Sequence, residues 1–280
     1  MDLSLQQRLM THLEQVVGDR NPYFASARHF FIQQYIQQEL SQWGVVEAHV
    51  FEHQGRQHTN WILSLPGQHP RCSPILVGAH YDSVPGSAGA DDNATGVAVL
   101  LELARGLSQQ PGKSPVRLIA FDLEEFGLAG SRCYAEKLHQ NGESLGLMIS
   151  LEMLGYCCQR SHSQRYPPGL KYLYPDRGNY IAQIGPWQSI PTMVRLWWSF
   201  RAAGLPSQWL PVVQQGRMVP DTRRSDHTPF WDLGYPAILL TDTADLRNPH
   251  YHQSTDTLET LDLGFLTRVC QGLMAGLRCL

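Results

Sequence analysis

The sequence predicts an α/β protein: a three-layer α/β/α sandwich around a central mixed, largely parallel sheet. Three segments, 75–79, 116–121 and 147–154, are mostly apolar and of strand length, as expected of buried strands. Segments with helical spacing, such as 94–107, lie between them, and strands that alternate with helices build parallel sheets covered by helices. At 280 residues the chain is long enough for one large core.

In order, Leu5, Leu9, Leu13, Val16 and Val17 share one face of a helix over 3–17, which Asn21-Pro22 breaks. A second helix runs from about Ala25 to Trp43 and stops at Gly44. Segments 45–51 and 61–65 read as strands, followed by the buried strand 75–79. The helix 94–107, the strand 116–121, a helix over 131–139 and the strand 147–154 follow. From Gly155 to Pro191 the pattern dissolves into a stretch rich in Tyr, Pro and Gly, a length of loop that is usually functional. A helix over 192–203, a strand over 237–241 and a helix over 258–277 close the chain. The expected organisation is one domain over 1–280, with 1–44 a helical lead-in and 45–280 the α/β core.

A net charge of -3 with no basic stripe excludes a nucleic-acid footprint. The longest apolar runs fall short of the ~20 residues that span a bilayer, so no membrane partner is expected. The N-terminus carries neither a basic region nor an apolar one, which points to a cytoplasmic protein. The six cysteines (Cys72, Cys133, Cys157, Cys158, Cys270 and Cys279) form no Cys-x-x-Cys pair, which speaks against a cysteine zinc knot and for reduced thiols. The adjacent Cys157 and Cys158 read as incidental loop thiols.

Chemistry-bearing residues collect at strand ends. His80 ends one buried strand, in Gly-Ala-His-Tyr-Asp-Ser; Glu124 and Glu125 end the next; Glu152 ends a third. Asp91 follows His80 in Gly-Ala-Asp-Asp-Asn-Ala-Thr-Gly, and His252 precedes the last helix in Tyr-His-Gln-Ser-Thr-Asp-Thr. The crevice beyond the carboxyl ends of the strands is the usual site of an open α/β sheet. Each residue alone reads as a solvated turn or a capped loop. Together they form a crowd of carboxylates that is costly unless a cation neutralises it. Imidazole and carboxylate ligands suit zinc, at one open-sided site or at a two-metal site.

In order and spacing these five motifs resemble the di-zinc aminopeptidases of peptidase family M28, with their zinc-exopeptidase (phosphorylase/hydrolase-like) fold. The resemblance implies two zinc ions per chain: Asp91 bridging, His80 and Glu152 completing one site, Glu125 and His252 the other. It implies Glu124 as catalytic base and Tyr251 as donor to the developing oxyanion. Asp82 orients His80, and a cis peptide follows the bridging residue, at Asp91–Asp92. Many members carry Asp where this chain has Glu152, which adds one methylene to that ligand. In relatives the Ser225-Asp226-His227 stretch lies beside the site, with Asp226 an outer partner; Ser225 as a helix cap is the equal alternative.

The implied activity is removal of N-terminal residues from peptides or small aminoacyl substrates. The stretch from Tyr156 to Trp187, with Trp197, Trp198 and Phe230, offers an apolar wall for the first side chain, although the two tryptophans also read as plain helix residues. Three other readings stay open: a single-zinc glutaminyl-peptide cyclase of the same fold, a non-catalytic metal-binding relative, and a carboxypeptidase that holds a carboxylate through Arg223 or Arg224. Oligomeric state is not legible.

Overall fold

The computed structural model describes residues 3–167 and 169–280, so the first two residues of the lead-in and Pro168 of the Tyr/Pro-rich stretch lie outside it. Among the described residues the sheet has eight strands: β1 (Val46–His53), β2 (Arg56–Leu65), β3 (Ile75–His80), β4 (Val116–Phe121), β5 (Leu147–Glu152), β6 (Ile181–Pro186), β7 (Ser207–Val212) and β8 (Ala237–Thr241). Their order is β1-β2-β4-β3-β5-β8-β6-β7. The central strands β4, β3, β5 and β8 run parallel, β1, β2 and β6 join antiparallel, and β7 is parallel to β6. The mixed, largely parallel sheet read from the sequence is therefore present.

Helices cover both faces. Ile75, Val77 and Ala79 of β3 point to the face packed by α1 (Leu5–Val16), α2 (Ser26–Ser41), α3 (Gly96–Gln109), α5 (Ile190–Ala202) and α7 (Leu263–Cys279). Leu76 faces the other way, toward α4 (Ala129–Gln140) and α6 (His227–Asp232), among Phe121, Met148, Phe230 and Trp231. Gly78 has to be glycine, because a Cβ there would stand 2.3 Å from Cε2 of Phe121. Leu9, Leu13, Ile32 and Ile36 of the lead-in are fully buried in the same core as the sheet.

Three expectations need correction. The stretch 155–191 contains β6, and the chain after Ala203 contains β7. Buried Gln183 interrupts the apolar run of β6, and Pro211 sits in β7, whose outer edge needs no ladder donor. The last helix starts at Leu263, not Leu258, because Asp262 caps it by accepting from the Phe265 N–H at 2.8 Å.

Candidate metal centre

The carboxyl ends of β3, β4 and β5 meet the kinked turn Ala90–Thr95 and the segment before α7. The chain turns off these ends through non-glycine residues in the left-handed region: Leu123 (φ 57°), Met153 (φ 49°) and His252 itself (φ 58°). Such backbone clusters where the surrounding structure must hold a side chain in one direction. After Leu123 the N–H groups of Glu124 and Glu125 donate to the carboxylate of Asp82 at 3.0 and 3.2 Å. That carboxylate also lies 3.4 Å from Nδ1 of His80, so Asp82 stands between two strand ends.

The residue between the two histidines is Asp92. Its Oδ1 lies 3.2 Å from Nε2 of His80 and its Oδ2 lies 3.1 Å from Nε2 of His252. The cis peptide is Asp92–Asn93, one residue beyond the expected bond. Asp91, expected in the bridging place, points elsewhere: its carboxylate accepts the Gly155 N–H and the Asn248 side-chain amide, both at 2.8 Å. Buried Asp242 is its neighbour there, pushed well above the carboxylate range by burial and by the charge of Asp91. Adjacent residues with the same side chain face opposite ways, and only the backbone kink decides which one enters the centre.

Ligand atoms of His80, Glu124 and Glu152 lie within 4.8 Å of one another, and so do those of Asp92, Glu125 and His252. His80 Nε2 stands 3.6 Å from Glu152, and His252 Nε2 stands 3.4 Å from Glu125. Burial, then the charge of Asp92, pushes Glu125 up to about 7. Burial pushes Glu124 well up; the neighbouring Glu152 and Glu125 add to this against the pull of His80. Burial pulls His252 down, but Asp92 and Glu125 outweigh it and raise it to about 10. Mutually perturbed groups of this kind collect at functional sites.

The donor set fits a divalent cation. His80 Nε2 and Glu125 Oε1 are buried without a hydrogen-bond partner among the described residues. Nitrogen and carboxylate oxygen in two adjoining groups are a zinc donor set.

Ser225 is no helix cap. Its hydroxyl donates to Glu152 Oε2 at 2.7 Å, while α6 begins without a side-chain cap. Asp226 is fully buried beside the centre; burial drives it up to about 7 although His80 pulls against this. Sequence reasoning missed Asp256, whose carboxylate accepts the N–H groups of Asp91 at 3.0 Å and Asp92 at 3.1 Å. Its place four residues after His252, in the last motif, was the available signal.

Beside the centre lies a recess of about 910 Å³ including its open mouth, lined by Glu152, Tyr166, Leu170, Tyr174, Tyr180, Trp209 and Tyr251 among others. The Tyr/Pro-rich stretch therefore does form a wall. Trp197, Trp198 and Phe230 do not line it: Trp197 donates to the Ser207 carbonyl, Trp198 is exposed and Phe230 is buried in the core. At the mouth Arg224 donates to the Tyr251 hydroxyl at 2.9 Å and pairs with Asp245 at 2.9 Å. Arg223 points away, to Asp232 at 2.7 Å.

A family model described as peptidase family M28 matches residues 60–186 and 196–276. The chain belongs to peptidase family M28. It is 40% identical over 216 residues to the uncharacterized protein YfbL of Escherichia coli, covering 71% of this chain and 65% of that protein. It is 32% identical over 190 residues to aminopeptidase YwaD of Bacillus subtilis, covering 66% of this chain and 36% of that protein. This M28 chain thus spans less than two thirds of the length of these relatives. The fold is shared with the solved glutaminyl cyclase of Tannerella forsythia, at a TM-score of 0.70 and 20% identity, over 98% of this chain and 97% of that one.

Proposed function

We propose that the protein is a zinc-dependent aminopeptidase that binds two zinc ions and hydrolyses the first peptide bond of its substrates. The observation that carries this is the carboxylate of Asp92, split between His80 and His252 with Glu124 alongside. His80, Asp92 and Glu152 would hold one ion; Asp92, Glu125 and His252 the other. Bound zinc supplies Lewis acidity toward the scissile carbonyl and makes water a nucleophile near neutral pH.

The chain's own residues do the rest. Glu124, held basic enough by burial and by its carboxylate neighbours, takes the proton of the attacking water and returns it to the leaving amine. Tyr251 receives a hydrogen bond from Arg224, which leaves its own O–H free to donate to the developing oxyanion. Glu152 lines both the centre and the recess, so it and Glu124 attract the free α-amine while the first side chain enters between Tyr166, Leu170 and Trp209.

The test is zinc content together with release of the first residue from aminoacyl amides. Near two zinc ions per chain and chelator-sensitive release support the reading. Replacing Glu124 with Gln should keep the zinc and cut kcat by about 10²–10⁴. Turnover that survives this change rejects the assigned base. One zinc ion with cyclisation of an N-terminal glutamine, and no hydrolysis, would make the protein a cyclase instead.

A further inference from the structure

Arg20 lies in the lead-in, before the first residue of the family match, yet it is fully buried beneath the centre. Among the described residues its guanidinium forms no ion pair with a carboxylate. It donates instead to five carbonyl oxygens: Tyr81 and Ala88 at 2.8 Å, Gly89 at 2.9 Å, Asp92 at 3.2 Å and Gly18 at 3.3 Å. A buried cation is costly unless its donors are satisfied and opposite charge is near. Here the carbonyls satisfy the donors, and Asp92, Asp256, Asp82 and Glu125 supply the field.

The segment from Gly89 to Asp92 is therefore held from two sides. Arg20 takes the carbonyls of Gly89 and Asp92, and Asp256 takes the N–H groups of Asp91 and Asp92. Gly89 makes room for this contact: its φ is +56°, and a Cβ there would stand 2.7 Å from a guanidinium nitrogen. A planar, forked donor can serve several carbonyls at once, which a lysine ammonium on its flexible stem cannot match.

We propose that Arg20 is a positioning residue for Asp92: its guanidinium fixes the kinked segment so that the Asp92 carboxylate faces both histidines, and the lead-in is thereby part of the metal centre. The inference rests on the zinc reading above and extends it to a residue with no ligand atom.

The test compares the wild-type chain with Arg20→Gln, Arg20→Lys and a control, Leu13→Ala, which weakens the buried lead-in core and leaves Arg20 in place. Zinc affinity is read by competition with a chromophoric chelator, and the rise in Tm on adding zinc is measured for each. Arg20→Gln should weaken zinc binding by about 10–100-fold, the range for groups that orient ligands, and shrink the zinc-induced rise in Tm. Arg20→Lys should recover only part of both. Leu13→Ala should lower Tm with and without zinc alike and keep wild-type zinc affinity. On aminoacyl amides the arginine variants should lose kcat with KM nearly unchanged.

A folded Arg20→Gln chain with wild-type zinc affinity overturns the proposal. If that variant does not fold, wild-type zinc affinity in Arg20→Lys overturns it. A wild-type chain without zinc affinity sinks this inference and the zinc reading together. Zinc binding and turnover that Arg20 variants leave untouched sink the inference alone.

Discussion

The Ser225 hydroxyl donates to Glu152 Oε2 at 2.7 Å and stands 2.9 Å from the hydroxyl of Ser150. Glu152 carries one methylene more than the aspartate that the family resemblance leads one to expect here, and a longer side chain has one more torsion to fix. Ser225 fixes it. Replacing Ser225 with Ala should weaken zinc binding by about tenfold or more, since partners that orient ligands carry effects of this size. Chelator competition measures this; an unchanged affinity would show that Glu152 needs no such support.

Asp91 and Asp92 should separate cleanly. Asp92→Asn should lower zinc content from near two per chain and abolish release of the first residue. Asp91→Asn should keep the zinc, because its carboxylate faces Gly155 and Asn248. Metal analysis of the two purified variants decides; loss of zinc in Asp91→Asn alone would restore the bridging place that the sequence suggested for Asp91.

His227 makes stability depend on pH. It is fully buried, donates through Nε2 to the Thr222 carbonyl at 2.8 Å, and burial lowers its pKa to about 3. Its folded pKa lies below the unfolded value of about 6.5, so at acidic pH the unfolded chain binds a proton that the folded one refuses. This contribution is complete above about 6.5 and is lost as pH falls toward 3. Urea unfolding of wild type and His227→Gln should give slopes that differ by about 1.4 kcal/mol per pH unit between about pH 6 and 4. Parallel slopes would exclude His227 as the source.

Ala182 and Leu239 lie on the floor of the recess. Ala182→Leu should fill space that a large first side chain needs. We expect kcat/KM for leucyl amide to fall by about tenfold or more relative to alanyl amide, as one or more methylenes in an apolar pocket are worth. A uniform loss across both substrates would place the first side chain elsewhere.

Much of this was legible in the sequence because the parallel core writes itself as apolar runs, and His80, Glu124, Glu125 and Glu152 stand at their ends. The choice between Asp91 and Asp92 was not legible. The two have the same side chain, and the direction of each depends on backbone angles at Asp92 and Asn93. Ser225 was ambiguous because a hydroxyl serves a helix cap and a carboxylate equally well. Arg20 gave no signal, since a lone arginine after a helix is ordinarily a solvated one and four of its five carbonyl partners come from the distant segment 81–92. Strand β6 was hidden by Gln183, a polar residue that pairs inside the core with Ser207 of the neighbouring strand.

The order of strands gives the molecule a division of labour. Strands β3, β4 and β5 end in proposed ligands and the base, whereas β6 and β7, added beyond β8, contribute Ala182, Ile184, Trp209 and Leu210 to the recess and nothing to the metal donors. The seam between the two halves is narrow, and Glu152 is a member of both. Substitutions on the recess side would therefore change which first side chain the proposed aminopeptidase accepts, while the proposed metal donors stay in place.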